Sequence, residues 1–400
     1  MDSEPKKVSL GSAIIFGAAT LLAGLAIGFN WDYITTNWLP YIGINIQATA
    51  DWSELNEVYN ALEKDYDGEI DLAKLKEGAK KGLVAAVGDQ YTTYMTKEEA
   101  EEFKDSLHGN VGNGIGVELA KRDNYVRVIR TLPDNPARKA GVLAGDIIYK
   151  INDEVVYDWT TENIALKLRG EAGSTLTLTV VRDGEQKSFD LTREAINNVS
   201  AYVDYDGNTA IITVTRFDND TGTMIQSFAN EFKDKGVKNI ILDLRGNGGG
   251  YVSAAKDLLS LWIDGEKVVT QKSSKSNNSD TYADKGKATL KDYPTVVLVN
   301  SATASASEIT ASALQDYQKG YLIGEQTYGK GVVQTLDNLS NSAILKVTAA
   351  HWYSPSDKNI SGEGITPDLV VENTYEDTNA GRDPQMDAAK NKLKEGIKYE

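Results

Sequence analysis

Residues 295–325, TVVLVNSATASASEITASALQDYQKGYLIGE, decide the architecture of this chain. TVVLVN predicts a buried strand, the serine-rich turn after it opens a helix near 305–317, and GYLIGE predicts a second short strand. The same alternation begins at residue 209, with TAIITVTRF, a helix near 221–234, NIILDL and a helix near 252–262. Strands and helices in turn imply an α/β core on a largely parallel sheet, because parallel neighbours need a crossover connection. Residues 271–288, rich in Ser, Lys, Asn and Asp, read as a mobile surface loop, and the residues from Pro384 as a terminal helix.

Upstream the pattern changes. Trp52, Leu55, Tyr59, Leu62 and Tyr66 fall at helical spacing, and a second helix is expected from Asp71, a suitable N-cap, to about Val87. VGNGIGVELA and NYVRVIRTL then alternate like strands, and TLTLTVVRDGEQKSFDLT reads as a hairpin turning at Asp183-Gly184. At the start of the chain, Val8 to Phe29 runs 22 residues without a charge. As a helix this is about 33 Å, enough for a hydrocarbon core of about 30 Å. Lys6 and Lys7 precede the run and Asp32 follows it, so a single-pass anchor in the cell membrane is expected, with everything beyond it on the extracytoplasmic side. The competing reading is a signal peptide cleaved at Ala48-Thr49-Ala50, which lies far beyond the apolar run.

Composition narrows the chemistry. Four hundred residues suggest two or three domains, and a net charge of −16 argues against a nucleic-acid partner, since phosphate binding needs a surplus of Lys and Arg. With no Cys, disulfides, thiolate metal sites and cysteine catalysis are excluded, and only two His are present. A serine activated by a lysine remains open, a chemistry that needs neither metal nor cofactor. Ser305 stands at the start of the predicted helix, and Lys330 sits among glycines with Gln334 four residues on. Lys330 must be neutral to act as a base, so its pKa of about 10.4 must fall by about two units or more, and burial can do this. The Ala306 N–H at the helix start is a candidate oxyanion donor. Ser305-Ala306-Ser307-Glu308 is equally a capping box, with Glu308 at N3, so this motif alone does not separate structure from catalysis.

Two resemblances add to this. GIGV (Gly114, Ile115, Gly116, Val117), followed by NPARKAGVLAGDIIYKIN with Pro136, Gly141, Gly145, Asp146 and Asn152, resembles a PDZ domain over residues 112–190. That resemblance implies a glycine loop whose N–H groups hold a C-terminal carboxylate, beside a strand edge that adds an extended peptide. VLVNSATASASEITASALQD, DLRGNGGG and GEQTYGKGVVQ together resemble the carboxyl-terminal processing (tail-specific) peptidases, and GDQYTTYM and GEGITPDLVV extend the match over most of residues 50–390. The resemblance implies a serine endopeptidase acting near the C-termini of polypeptides with free apolar ends. Ser305 would be the nucleophile, Lys330 the base and Gln334 its orienting partner, with Gly249 and Ala306 forming the oxyanion hole. It also suggests a homodimer. Thr303 departs from the family's usual Ser and Ser301 from its frequent Gly.

The expected organisation is therefore an α/β multidomain protein. It comprises a cytoplasmic tail (1–7), a transmembrane anchor (8–29), an N-terminal helical segment (30–105), an inserted PDZ domain (106–195), a peptidase core (196–375) and a C-terminal helix (376–400). The main alternative is a non-catalytic PDZ scaffold on a degenerate core, against which the intact Ser, Lys and Gln weigh. Gly324 to Gly331 nearly matches a phosphate-binding loop, but Gly331 replaces the metal-binding hydroxyl and VVQTLDNL predicts a strand where a helix is needed. Ser253 and Lys256 match SxxK without its companion motifs. Asp243, Arg245 and Asp316 read as structural support, and a Ser–His pairing through His351 is a minor alternative.

Overall fold

The computed structural model describes residues 17, 19–21, 24, 52–109, 112–122, 125–374, 376–377 and 382–399, in two units, Met1–Lys76 and Glu77–Glu400. The expected membrane segment lies outside the described residues apart from isolated positions, as does the tail before it. Among the described residues, no helix is long and apolar enough to cross a membrane.

Two helices stand first, α1 (Ser53–Asp65) and α2 (Leu72–Ala85). The Asp71 carboxylate accepts from the N–H groups of Ala73 and Lys74, as its N-cap reading requires. The N-terminal segment is not purely helical. A short strand, β1 (Thr93–Met95), follows, and then α3 (Lys97–Leu107), capped by Thr96 with Glu99 at N3. Three residues are too few to show a period-2 pattern, and β1 exists only through its distant partner described below.

The PDZ module comprises β2 (Asn113–Gly114), β3 (Val117–Arg122), β4 (Tyr125–Thr131), α4 (Pro136–Ala140), β5 (Ile147–Ile151), β6 (Glu154–Val155), α5 (Thr161–Leu168), β7 (Thr175–Arg182), β8 (Glu185–Thr192) and β9 (Glu194–Ala195). Its sheet runs β3-β4-β5-β7-β8, which leaves β3 on an edge beside α5. Asp183 and Gly184 both have positive φ and close the β7–β8 hairpin with Arg182 opposite Glu185. Asp146, buried, takes both forks of Arg182 at 2.6 and 2.7 Å and the Leu143 N–H at 2.9 Å, which explains the acidic residue in GDIIYKIN.

The core follows: β10 (Ala201–Asp206), β11 (Thr209–Val214), α6 (Thr221–Glu231), β12 (Asn239–Asp243), α7 (Val252–Leu259), β13 (Lys267–Lys272), β14 (Ser279–Tyr282), β15 (Thr295–Val299), α8 (Ala306–Asp316), β16 (Tyr321–Gly324), β17 (Val332–Asn338), β18 (Ile344–Tyr353), β19 (Leu369–Val370) and α9 (Pro384–Glu395). The central sheet has the order β10-β11-β12-β15-β16-β19, and every neighbouring pair except β10–β11 is parallel. Its inner strands are apolar on both faces because both are covered. Leu242, Val297 and Leu322 pack toward α6, α7 and α8, while Ile241, Val296 and Ile323 pack toward Ala389 and Leu393 of α9.

A second sheet carries β18 at its centre, paired with β17, with β13 and, through Thr93↔Lys346, with β1. Chain on both sides of the PDZ module thus builds one sheet, so the module is an insertion. The stretch 271–288 is less irregular than its composition suggests, since it contains β14, which pairs back onto β13 at its leading edge, and the Thr270 hydroxyl donates to Asp280 at 2.6 Å. Polar cross-strand bonds of this kind leave no apolar alternation to read.

Candidate active site

The turn between β15 and α8 places Ser305 at the N-cap of α8 with φ 57° and ψ −118°. A non-glycine residue in that region is strained, and such strain gathers at functional sites. It turns the chain sharply, and Ser305 stays only half-buried while Ala304, Ala306 and Ser307 are buried. The Ser305 N–H donates to Glu308 Oε2 at 2.8 Å.

Glu308 does more than cap a helix. Its side chain is fully buried and accepts four hydrogen bonds: Ser305 N–H and Lys330 N–H (3.0 Å) on Oε2, and the Thr327 hydroxyl (2.6 Å) and Gly329 N–H (2.7 Å) on Oε1. Burial pushes its carboxyl above the usual range, and these donors pull against that rise. One carboxylate therefore fixes the backbone of Ser305 and the backbone of Lys330, 25 residues apart, at a common point. The Lys330 carbonyl accepts from the buried Trp352 indole at 2.9 Å, so this residue is pinned on both sides.

The Lys330 side chain is half-buried, and its Nζ lies 5.7 Å from the centre of the Tyr91 ring. Burial lowers the amine's pKa from the ordinary lysine value, nearby Lys346 lowers it further, and Glu308 acts in the opposite sense. Gln334, on β17 opposite Thr348, donates its side-chain amide to the Tyr91 carbonyl. The glutamine and the lysine thus converge on Tyr91, a residue from the other side of the PDZ insertion.

The DLRGNGGG loop supplies the facing wall. Gly249 has φ 101°, and a Cβ there would lie 2.8 Å from Ser305 Cβ and 2.9 Å from Ala306 N, so only glycine fits against the turn. The Ala306 N–H is one of the helix-start donors that have no acceptor within the helix. The Gly249 N–H already donates to Asn247 Oδ1 at 2.9 Å. Asn247, buried, also donates to the Val214 carbonyl at 2.9 Å, while its own carbonyl accepts from Ala304 N–H and the Ser307 hydroxyl. Thr303 donates its hydroxyl to the Leu244 carbonyl at 2.9 Å, a bond that the expected Ser would make as well, so the departure leaves this contact unchanged.

The residues read as support behave so. Arg245 forks onto Asp243 and Asp383; burial opposes its charge, but these carboxylates keep the guanidinium protonated. Asp316 accepts from Ser354 and Ser356, Lys256 pairs with Asp257 and Asp284, and His351 is exposed on β18. Gly331 leads directly into β17, so the phosphate-loop reading fails for lack of a helix.

A groove of about 430 Å³ is lined by Gly114, Ile115, Gly116 and Val117 together with β3 and α5 on the PDZ side, and by Thr215, Arg216 and Gly246 on the core side. The carbonyls of Ile115 and Gly116 accept from Ala137 and Leu132, which fixes the loop's shape. Gly116 has φ 77°, and a Cβ there would meet Asn135 Cβ at 2.2 Å. Asn135, buried, joins this loop to both the N–H and the carbonyl of Asn197 in the link to the core.

Of these residues, Glu308 was legible only as a cap, and Asn247 and Tyr91 stood inside the quoted DLRGNGGG and GDQYTTYM motifs without a role of their own, since each acts through residues remote in sequence.

Comparison with known proteins places this geometry. Residues 208–371 match the model of peptidase family S41, residues 113–192 that of a PDZ domain, and residues 42–99 that of the activating protease CtpB N-terminal domain. The probable CtpA-like serine protease of Staphylococcus epidermidis (strain RP62A) is 32% identical over 330 residues, covering 82% of this chain and 67% of that protein. Its namesake in Staphylococcus aureus (strain N315) is 32% identical over 366 residues, covering 91% and 72%. Among solved structures, the photosystem II D1 C-terminal processing protease aligns with a TM-score of 0.52 and 27% identity, covering 81% of this chain and 87% of that one. An S41 protease from Bacteroides fragilis shares the fold, with a TM-score of 0.56 at 17% identity over 92% and 97% of the two chains. The chain belongs to peptidase family S41, as a serine-type peptidase that carries a PDZ domain.

Proposed function

We propose that the protein is an endopeptidase that cleaves unfolded or tail-exposed polypeptides near their C-termini, with Ser305 as nucleophile and Lys330 as general base. The observation that carries this reading is the shared Glu308 carboxylate, which ties a strained serine to a lysine whose amine is partly buried. The neutral amine takes the Ser305 proton as Oγ attacks the scissile carbonyl, and the resulting ammonium returns that proton to the leaving amine. The Ala306 N–H and the Gly249 N–H receive the oxyanion, the latter exchanging its bond to Asn247 for the substrate. Gln334 steadies the lysine. No ATP is consumed, so substrates must arrive with disordered ends.

Capture of the substrate falls to the PDZ groove, where the Gly114–Val117 loop receives the terminal carboxylate and edge strand β3 adds the peptide behind it. We further propose that residues 8–29 tether the protein with its catalytic part on the outer face, an arrangement supported by the apolar run behind Lys6 and Lys7. Recovery of the intact N-terminal segment from membranes by mass spectrometry checks it, and a mature N-terminus at Asp51 would replace the tether by a cleaved signal. Self-association is supported by α1, which buries no residue and exposes Leu55, Val58 and Leu62 beside its N-cap Trp52, also exposed.

The test of the catalytic reading is a pair of substitutions. Ser305→Ala and Lys330→Arg should each lower cleavage of an unfolded protein by about 10³-fold or more, because arginine keeps the charge but cannot deprotonate. An active Lys330→Arg enzyme would dismiss the neutral base.

A further inference from the structure

The catalytic lysine is not housed by the peptidase core alone. Asp89 organises a turn ahead of β1: its Oδ1 accepts from Tyr91 N–H at 3.1 Å, its Oδ2 from the Thr92 hydroxyl at 2.5 Å, and its carbonyl from Thr92 N–H at 3.3 Å. Thr92 Oγ1 in turn accepts from Thr348 N–H at 3.1 Å, which fastens the turn to β18. The turn thus presents Tyr91 in a fixed place, and it does so twice. The ring lies under Lys330 Nζ at 5.7 Å, and the carbonyl takes the Gln334 amide.

We infer that Tyr91 is the positioning residue for the Lys330–Gln334 pair, its ring shielding the lysine amine from water and its carbonyl setting which way the glutamine amide faces. With Nε2 committed as donor to Tyr91, Oε1 is the atom through which Gln334 can accept a hydrogen bond from the lysine amine. This inference rests on the reading of Lys330 as the base. The ring's two effects on a lysine oppose each other: the π face favours the ammonium, whereas exclusion of water favours the neutral amine. At 5.7 Å the contact is near the outer limit of about 6 Å for the first effect, so shielding prevails. The charged and titratable groups that bear on this lysine and on Tyr91 are Lys346 from β18, Glu308 from α8, Tyr328 from the loop before Lys330, and Asp89 in the turn itself, and His351 of β18 lines the same cavity as Tyr91. Removal of the ring leaves these in place and admits water, which moves the amine toward ordinary lysine behaviour.

The full-length enzyme is assayed on β-casein across pH as wild type, Tyr91→Phe, Tyr91→Leu, Tyr91→Ala and Lys330→Arg. Tyr91→Phe keeps ring and carbonyl and should match the wild-type profile. Tyr91→Ala should lower kcat about tenfold near neutral pH with little change in KM, and should shift the rising limb of the profile up by about one pH unit, so that activity recovers in alkali. Tyr91→Leu should fall between the two, and it carries the test if the alanine variant does not fold. Mere structural damage lowers the whole profile without moving its limb, and that outcome, or an unmoved profile in both Leu and Ala variants, overturns the inference. An inactive Lys330→Arg enzyme beside an unmoved limb refutes the Tyr91 role alone; an active one refutes the base and the Tyr91 role together.

Discussion

The serine turn and the PDZ groove, the two places where the proposed function seats the substrate, are built by opposite means. At the turn, one buried carboxylate collects four donors and thereby joins α8 to the loop before β17. In the groove, glycines and backbone carbonyls define a loop whose proposed binding groups are its own N–H donors, with the buried Asn135 behind it. The chemistry proposed for Ser305 needs two side chains held in fixed register, and a side-chain hub supplies that from distant segments. Peptide capture needs only a shaped backbone edge, which tolerates change in most side chains around it.

The comparison breaks most sharply at the hub. Glu308→Gln keeps size but replaces one acceptor oxygen by a donor, which then faces two N–H or O–H groups in a buried space. The variant should lose about 2–4 kcal/mol of stability, read by denaturant titration, together with most of its kcat. A fully stable, fully active glutamine variant would mean that the hub does not set the register. In the intact enzyme, kcat/KM should rise with pH along one limb lying below the ordinary lysine value of about 10.4, because burial and then Lys346 lower the Lys330 pKa and only its neutral form accepts the proton.

The groove should yield more gently. Gly116→Ala forces a Cβ into Asn135 at a positive φ, so binding of C-terminal peptides should weaken about tenfold while small unanchored peptides are cleaved at the wild-type rate. Amidation of the peptide's C-terminus should weaken binding of the wild type to a similar extent, as measured by calorimetry. If cleavage is indifferent to both changes, selection resides in the cleft. The smallest effect belongs to Ser301→Gly. That side chain is exposed ahead of the turn, so stability and kcat should change by no more than about 0.5 kcal/mol equivalent.

Most of the architecture was legible because it is written in local pattern. The apolar runs of β12, β15 and β16 announce strands buried on both faces, and Asp183-Gly184 announces its hairpin. β1 and the β13–β14 pair escaped because their strand character comes from partners: Lys346 and its neighbours opposite Thr93–Met95 in one case, and polar cross-strand bonds in the other. The site divides in the same way. Ser305, Lys330 and Gln334 stand in motifs whose spacing can be recognised, while the contact that Gln334 and Lys330 share with Tyr91 joins segments too remote in sequence for any spacing to announce.

The sequence by itself determined the peptidase and PDZ motifs, the alternating core and the exclusion of cysteine chemistry, because these depend on residue type and short-range periodicity. Only the tertiary structure decided what holds the site together. Glu308 becomes a hub, Asn247 an organiser of the glycine loop and Tyr91 a floor for the lysine only when α8, the loop before β17, the DLRGNGGG loop and the turn ahead of β1 meet. Hydrogen bonds and shielding from water act over a few ångströms, and in this fold those distances are closed between residues tens to hundreds of positions apart.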